Sequence, residues 1–214
     1  MDLLERLILE NPSFQAWSDG TPANWSVHPD VLRFIVRHVT PGMRTLETGS
    51  GQSTVAFALA GARHTAITLD PGEAQRIRAW LAEHGAPADL TFIHESSDVA
   101  LTRDAGIPSE LDFVFIDGAH RFPFPCLDWH YTEQRLRVGG LMAVDDYAMP
   151  SVRILHDFLL GEDEWDLLEV IGRTSFFRRV RETVVINDCQ GQRINQRPWQ
   201  TIMERVDEEI SYGN

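Results

Sequence analysis

The chain has 214 residues, 43% of them apolar, enough to bury one core with some decoration and too few for two large domains. Lys and Arg number 19 against 32 Asp and Glu, a net charge of −13, so the surface repels phosphate backbones and no nucleic-acid partner is expected. No run approaches the roughly 20 apolar residues of a membrane span, and MDLLERLILE carries acid where a signal peptide needs positive charge, so a cytoplasmic protein with no membrane partner is expected.

Leu3, Leu4, Leu7 and Ile8 share one face of a short helix over residues 2–10, stopped by Asn11-Pro12. Ser13 to His28 is turn-rich yet holds Phe14, Trp17 and Trp25; core packing is the expected use of these aromatics, with a cover over a ligand as the other. Pro29-Asp30 opens a second helix with Val31, Leu32, Ile35, Val36 and Val39 in one stripe, and Pro41-Gly42 closes it. Arg44 to Thr54, RTLETGSGQST, then runs from a strand through a glycine turn into a helix at 52–60. Gly49 and Gly51 permit positive φ and close approach to the backbone. The helix start aims its free N–H groups at the same place.

Apolar runs at 65–69, 90–94, 111–116 and 140–144 alternate with helical patterns at about 71–84, 97–103 and 123–137. Strands apolar on both faces and separated by helices make a parallel sheet covered on both sides. After a helix at about 151–160, WDLLEVI (165–171) and TSFFRRV (174–180) read as an antiparallel pair that closes the sheet. One domain is expected, with an N-terminal helical cap at 1–42, a core at 43–180 and an extension at 181–214. The extension shows a VVI run, a turn at DCQGQ and a helix from Pro198 to about Ile210; its role is open between a lid, the arm of a homodimer and a packed extension. Cys126 and Cys189 lack CxxC spacing and read as free thiols.

Ligands of an open parallel sheet bind beyond the carboxyl ends of its strands, and these ends are acidic here. Asp70 lies about 20 residues after Gly49, the separation at which a carboxylate accepts both hydroxyls of a ribose. It can equally cap the helix that begins at Pro71. Asp117 ends strand four, and Asp145-Asp146 ends strand five. Three converging carboxylates repel one another, and a divalent cation such as Mg2+ is the expected remedy, against separate roles in a turn and a helix cap. His120 is placed to act as a general base. Ser96 and Ser97 end strand three, where hydroxyls can meet a base edge or cap the next helix.

The order ETGSGQST, TLDP, HESSDVAL, LDFVFIDGAH and GGLMAVDDY, closed by a hairpin ending in FFRR, resembles the class I S-adenosylmethionine-dependent methyltransferases over residues 43–180. Within them, FIDG with GGLMAVDDY looks like the magnesium-dependent small-molecule O-methyltransferases of the macrocin and catechol types. The resemblance implies a Rossmann-like, doubly wound α/β fold with a mostly parallel seven-stranded sheet. It places Glu47, Gly49, Ser50 and Gly51 at the methionine part of the cofactor, Asp70 at the ribose, and Ser96, Ser97 and Asp117 along the rest of it. Asp117, Asp145 and Asp146 match the metal positions, and a small-molecule acceptor is implied. The lysine that follows the strand-four aspartate in the catechol type is absent, since Gly118, Ala119 and His120 stand there. Two rival functions share the glycine turn: a nicotinamide-dependent oxidoreductase, which the Thr54 in place of a third glycine disfavours, and a non-catalytic cofactor-binding protein.

Overall fold

The computed structural model describes residues 2–86, 88–103, 106–183 and 192–196. Nine strands and seven α-helices follow one another among them. Strands β1 (Gln15–Ala16) and β2 (Pro22–Ala23) form a small antiparallel hairpin, and the remaining seven form one sheet. These seven are β3 (Arg44–Thr48), β4 (Arg63–Ile67), β5 (Asp89–Ile93), β6 (Leu111–Ile116), β7 (Leu136–Val144), β8 (Trp165–Ile171) and β9 (Thr174–Arg179). Their order is β5-β4-β3-β6-β7-β9-β8, parallel from β5 to β7, with β9 antiparallel to both neighbours. The Rossmann-like expectation with its closing antiparallel pair therefore holds.

Alternation along the strands divides the core between the two faces. Phe113 and Phe115 of β6, Leu141 and Ala143 of β7 and Phe176 of β9 pack with helices α1 (Leu3–Glu10), α2 (Pro29–His38) and α3 (Gln52–Leu59). Val114, Ile116, Met142, Val144 and Phe177 face the other way, toward α5 (Ser97–Arg103) and α7 (Pro150–Gly161). The stripe read in α2 is buried through Val31, Leu32 and Ile35, and Phe34 joins it by stacking on Phe176 at 3.8 Å. Each such side chain contributes ~1.5–3 kcal/mol by leaving water. Helix α1 is capped by Asp2 and stops where Asn11 turns left-handed, φ 43.

Three boundaries moved. The second parallel strand begins at Arg63 and ends at Ile67, because the chain leaves the sheet at Thr68 to let Asp70 cap α4 (Pro71–Glu83); Leu69, expected inside, is exposed. Helix α6 (Phe124–Glu133) ends four residues before the expected boundary, since Leu136 already pairs with Leu111 and starts a nine-residue strand. The glycine pair at 139–140 interrupts that strand: the β6–β7 register shifts there and Gly139 has φ 84. The β1–β2 hairpin was not expected at all. Its two-residue strands are too short for any periodicity to show.

Of the expected C-terminal features, the VVI run, the DCQGQ turn and the helix from Pro198 lie outside the described residues, as does Cys189. Arg193–Gln196 forms a short 3-10 turn pinned by Arg193 Nη2 to Asp163 at 2.8 Å. No helix among the described residues is long and apolar enough to cross a membrane.

Candidate active site

Register brings the ends of the parallel strands to one level. Thr48 of β3 pairs with Ile67 of β4 and Ile116 of β6, and Ile116 pairs with Val144 of β7. The residues that follow, Gly49, Thr68, Asp117 and Asp145, therefore open together onto a cavity of about 680 Å3. The β1–β2 segment forms its far wall through Gln15, Asn24, Trp25 and Ser26. Trp25 is 54% exposed and meets Trp17 edge to face at 5.0 Å, while Phe14 alone of the three aromatics is buried. Core packing thus accounts for Phe14, and the cover accounts for Trp25.

Only one of the two loop glycines uses its conformational freedom. Gly49 has φ 95, its N–H donates to the Ile67 carbonyl at 2.8 Å, and a Cβ there would stand 2.4 Å from the backbone oxygen of Asp117. Gly51 is extended, and what bars a side chain is the Gln15 amide, 2.5 Å from where a Cβ would be. That amide donates to the Ser50 carbonyl at 2.7 Å and so fixes the loop to the covering hairpin.

Glu47, which the resemblance places at the methionine part of the cofactor, is buried and is not among the residues that line the cavity. Its buried carboxylate accepts from Ser53 Oγ at 2.7 Å and from the Thr54 hydroxyl, and lies 3.0 Å from His64 Nε2. Thr54 Oγ1 in turn accepts from the Gly51 N–H at 2.9 Å. Glu47 therefore shapes the loop from beneath. His64, which the sequence reading passed over, is its partner across the strand pair and stacks on Phe57 at 4.5 Å.

Asp70 caps α4 by accepting from the Gly72 N–H at 2.8 Å, and it also lines the cavity. The Gly72 bond, helped by Arg76 Nη2 at 2.9 Å, keeps its carboxyl below the ordinary value. Beside it Glu73 accepts from Ser50 Oγ at 2.5 Å and Thr68 Oγ1 at 2.6 Å. An acid in the first turn of a helix was the available signal for Glu73, since such residues favour helix starts. Ser96 and Ser97 both line the cavity; the Ser96 hydroxyl donates to Asp98, and its carbonyl accepts the first N–H groups of α5.

Asp117, His120, Asp145 and Asp146 lie together where β6 and β7 end at the cavity. The His120 ring stands between Asp117 Oδ1 and Asp146 Oδ2, 3.6 Å from each, and its carbonyl accepts from Ser151 Oγ of α7 at 2.5 Å. Burial, reinforced by the charge of Asp145, pushes the Asp117 carboxyl well above its ordinary range. Contact with Asp117 raises the imidazole. Asp145 accepts from the Thr174 hydroxyl and is also raised by burial. Asp146 lies in the left-handed region, φ 53, and meets Arg173 Nε at 2.9 Å. It does not cap α7, whose start is at Met149.

The cation expected for this trio does not fit what surrounds it. Among the described residues no group of three His, Cys, Asp or Glu side chains is placed to hold a metal ion. The carboxylates are turned instead toward Thr174, Arg173 and His120.

One further acid lies behind the wall. Asp128 of α6 is fully buried, neither carboxylate oxygen completes a hydrogen bond, and burial raises its pKa to about 6 against a small opposing effect of the Ser97 and Thr48 hydroxyls. A folded-state pKa above the unfolded one means that the native protein holds the proton more tightly, so stability falls as pH rises from about 4 to about 6. At pH 7.5 the loss is on the order of 3 kcal/mol. Asp128→Asn is expected to raise the unfolding midpoint at pH 7.5 and to leave it nearly unchanged at pH 4, which denaturant melts at the two pH values will test. An equal change at both would show that Asp128 is not held protonated.

The sheet order, with its closing antiparallel pair, is that of the Rossmann-like fold found in methyltransferases. Residues 46–147, from β3 to the residue after Asp146, match the model of a family described as a methyltransferase domain. The resemblance to class I S-adenosylmethionine-dependent methyltransferases holds in the fold and in this match. The chain is similar to the cofactor-bound protein Rv0187 from MTB, with 17% identity over 84% of this chain and 90% of that one and a TM-score of 0.64. It is similar to the O-methyltransferase TomG from Streptomyces achromogenes, involved in tomaymycin synthesis and solved in complex with SAM, with 19% identity, 75% and 84% coverage and a TM-score of 0.60. A third likeness is to the SAH-bound methyltransferase PaMTH1 of Podospora anserina, with 15% identity, 85% and 89% coverage and a TM-score of 0.61. No curated protein matches the chain.

Proposed function

We propose that the protein binds S-adenosylmethionine and transfers its methyl group to an oxygen of a small-molecule acceptor, with His120 as the general base. The observation that carries this reading is one cavity with two unlike ends: Gly49, Ser50, Asp70, Ser96 and Ser97 at one, His120 among carboxylates at the other. Its volume of about 680 Å3 falls within the range of small-molecule sites. The two SAM- and SAH-bound likenesses and the methyltransferase-domain match support the donor; the O-methyltransferase among them supports the acceptor atom.

When bound, S-adenosylmethionine supplies an electrophilic methyl on a sulfonium. The chain's part is to hold the acceptor oxygen in line with that methyl and to take its proton. Asp70 and Glu73 offer carboxylates to ribose hydroxyls, and Ser96 and Ser97 offer hydroxyls farther along. Asp117 stands beside the glycine turn, its backbone oxygen 2.4 Å from where a Cβ on Gly49 would be. Neutral His120 accepts the acceptor's proton as the new O–C bond forms, and Asp117 and Asp146 stabilise the imidazolium. Because the carboxylates do not form a cation site, no step is assigned to a metal.

Thermal-shift measurements with S-adenosylhomocysteine, S-adenosylmethionine and NAD separate this reading from an oxidoreductase. The first two are expected to raise the melting temperature by mass action, by about 2.7 kcal/mol of stability at one hundred times Kd. Stabilisation by NAD alone would overturn the proposal. Binding of both, with no S-adenosylhomocysteine released in the presence of hydroxylated acceptors, would favour a cofactor-binding protein.

A further inference from the structure

We infer that Arg173 is the permanent counter-charge of the strand-end carboxylates and stands in for the divalent cation, so that the site is metal-independent. Three carboxylates on adjoining strand ends need positive charge near them, or they take up protons. Two devices can supply it: an ion, or a cationic side chain. Here the turn between β8 and β9 carries a guanidinium into the cavity wall, with Nε 2.9 Å from Asp146 Oδ1. The turn is well anchored. The Arg173 carbonyl accepts from the Tyr147 N–H at 3.1 Å, Gly172 has φ 59, and the next residue, Thr174, donates its hydroxyl to Asp145.

Each carboxylate thus has a protein partner that competes with coordination. Asp145 has a hydroxyl, Asp146 a guanidinium, and Asp117 and Asp146 share the ring of His120. Hard cations of the magnesium type demand near-octahedral oxygen sets, which these partners prevent from assembling. Arginine suits the role because it stays charged at every working pH, and here it meets Asp146 as an ion pair. The guanidinium side chain is 70% exposed, so its removal leaves the core intact.

The inference is tested on the purified chain without any substrate, and so independently of the proposed methyl transfer. Binding of Mn2+ is measured by the loss of the free-ion electron paramagnetic resonance signal, with Mg2+ as competitor. The wild type is expected to bind no Mn2+ below about 1 mM, in the affinity range of weak calcium-type sites. Arg173→Met, which keeps the stem and removes the charge, is expected to bind one Mn2+ at least tenfold more tightly. Adding Asp145→Asn to that variant is expected to abolish the gain. One Mn2+ bound by the wild type and lost in Asp145→Asn would overturn the inference. So would a variant Arg173→Met that binds no better than the wild type, since the guanidinium would then not be what excludes the cation.

Discussion

Replacing Gly49 with alanine is expected to lower the unfolding midpoint by on the order of 10 °C and to remove measurable S-adenosylhomocysteine binding. Two costs add. The backbone there has φ 95, which costs a residue with a Cβ about 1–3 kcal/mol. The new methyl would also stand 2.4 Å from the Asp117 carbonyl oxygen and 3.0 Å from its carbon, so two strand ends must part. Overpacking against backbone adds about 1–3 kcal/mol, and a domain of this size loses roughly 2–4 °C for each kcal/mol. Parting β3 from β6 also displaces Asp117 relative to Ser50. Calorimetric melting and isothermal titration will check both effects; a variant with wild-type midpoint and affinity would show that the loop yields without cost. Gly51→Ala provides the contrast. Its backbone is extended, and the obstacle is the far end of the flexible Gln15 side chain, so a loss of only about 1 kcal/mol is expected.

His120→Gln is expected to slow methyl transfer by about 100- to 10,000-fold, the usual contribution of a positioned base, while leaving cofactor affinity within a few-fold of the wild type. The pH profile carries the sharper signature. Asp117 raises the imidazole above its ordinary value of 6.5, and the neutral ring is the active form, so the wild-type rate rises with pH through a limb centred above 6.5. Asp117→Asn removes the main cause of the shift and is expected to move that limb to lower pH. A limb that stays in place in His120→Gln would assign the proton transfer to another group.

The fold was legible because its signals are redundant. Val, Ile and Phe runs such as LDFVFI are too apolar for a sheet with a wet face, and each is followed by a helix start, so a parallel sheet follows from composition and spacing together. Pro29, Pro71 and Asp70 mark helix starts where the structure has them. The site was legible in part for the same reason: strand ends can be counted, and Gly49, Asp70, Ser96, Asp117 and Asp145 all open onto one cavity. What could not be read is which way a side chain turns. Glu47 turns under the loop, where His64 and two hydroxyls receive it, and nothing in ETGSG says so. Arg173 and Gln15 reach the site across 27 and 35 residues of sequence from Asp146 and Ser50 respectively, a matter of sheet order and not of any local pattern. The carboxylate trio shows the same limit. Its convergence was predictable, its partners were not.

The inserted strand β9 explains why those partners come from where they do. Every parallel strand reaches the site at its end, so the residues it offers sit on a loop that leads away into a helix. Strand β9 runs the other way, with Ser175 opposite Val144, and reaches the site at its beginning. Arg173 and Thr174 are therefore delivered by a tight reversal whose two arms are hydrogen-bonded to each other. Variation in that reversal can reset the charge balance around the reacting atoms without touching the glycine turn, which gives the fold separate controls for the donor it holds and for the acceptor chemistry it performs.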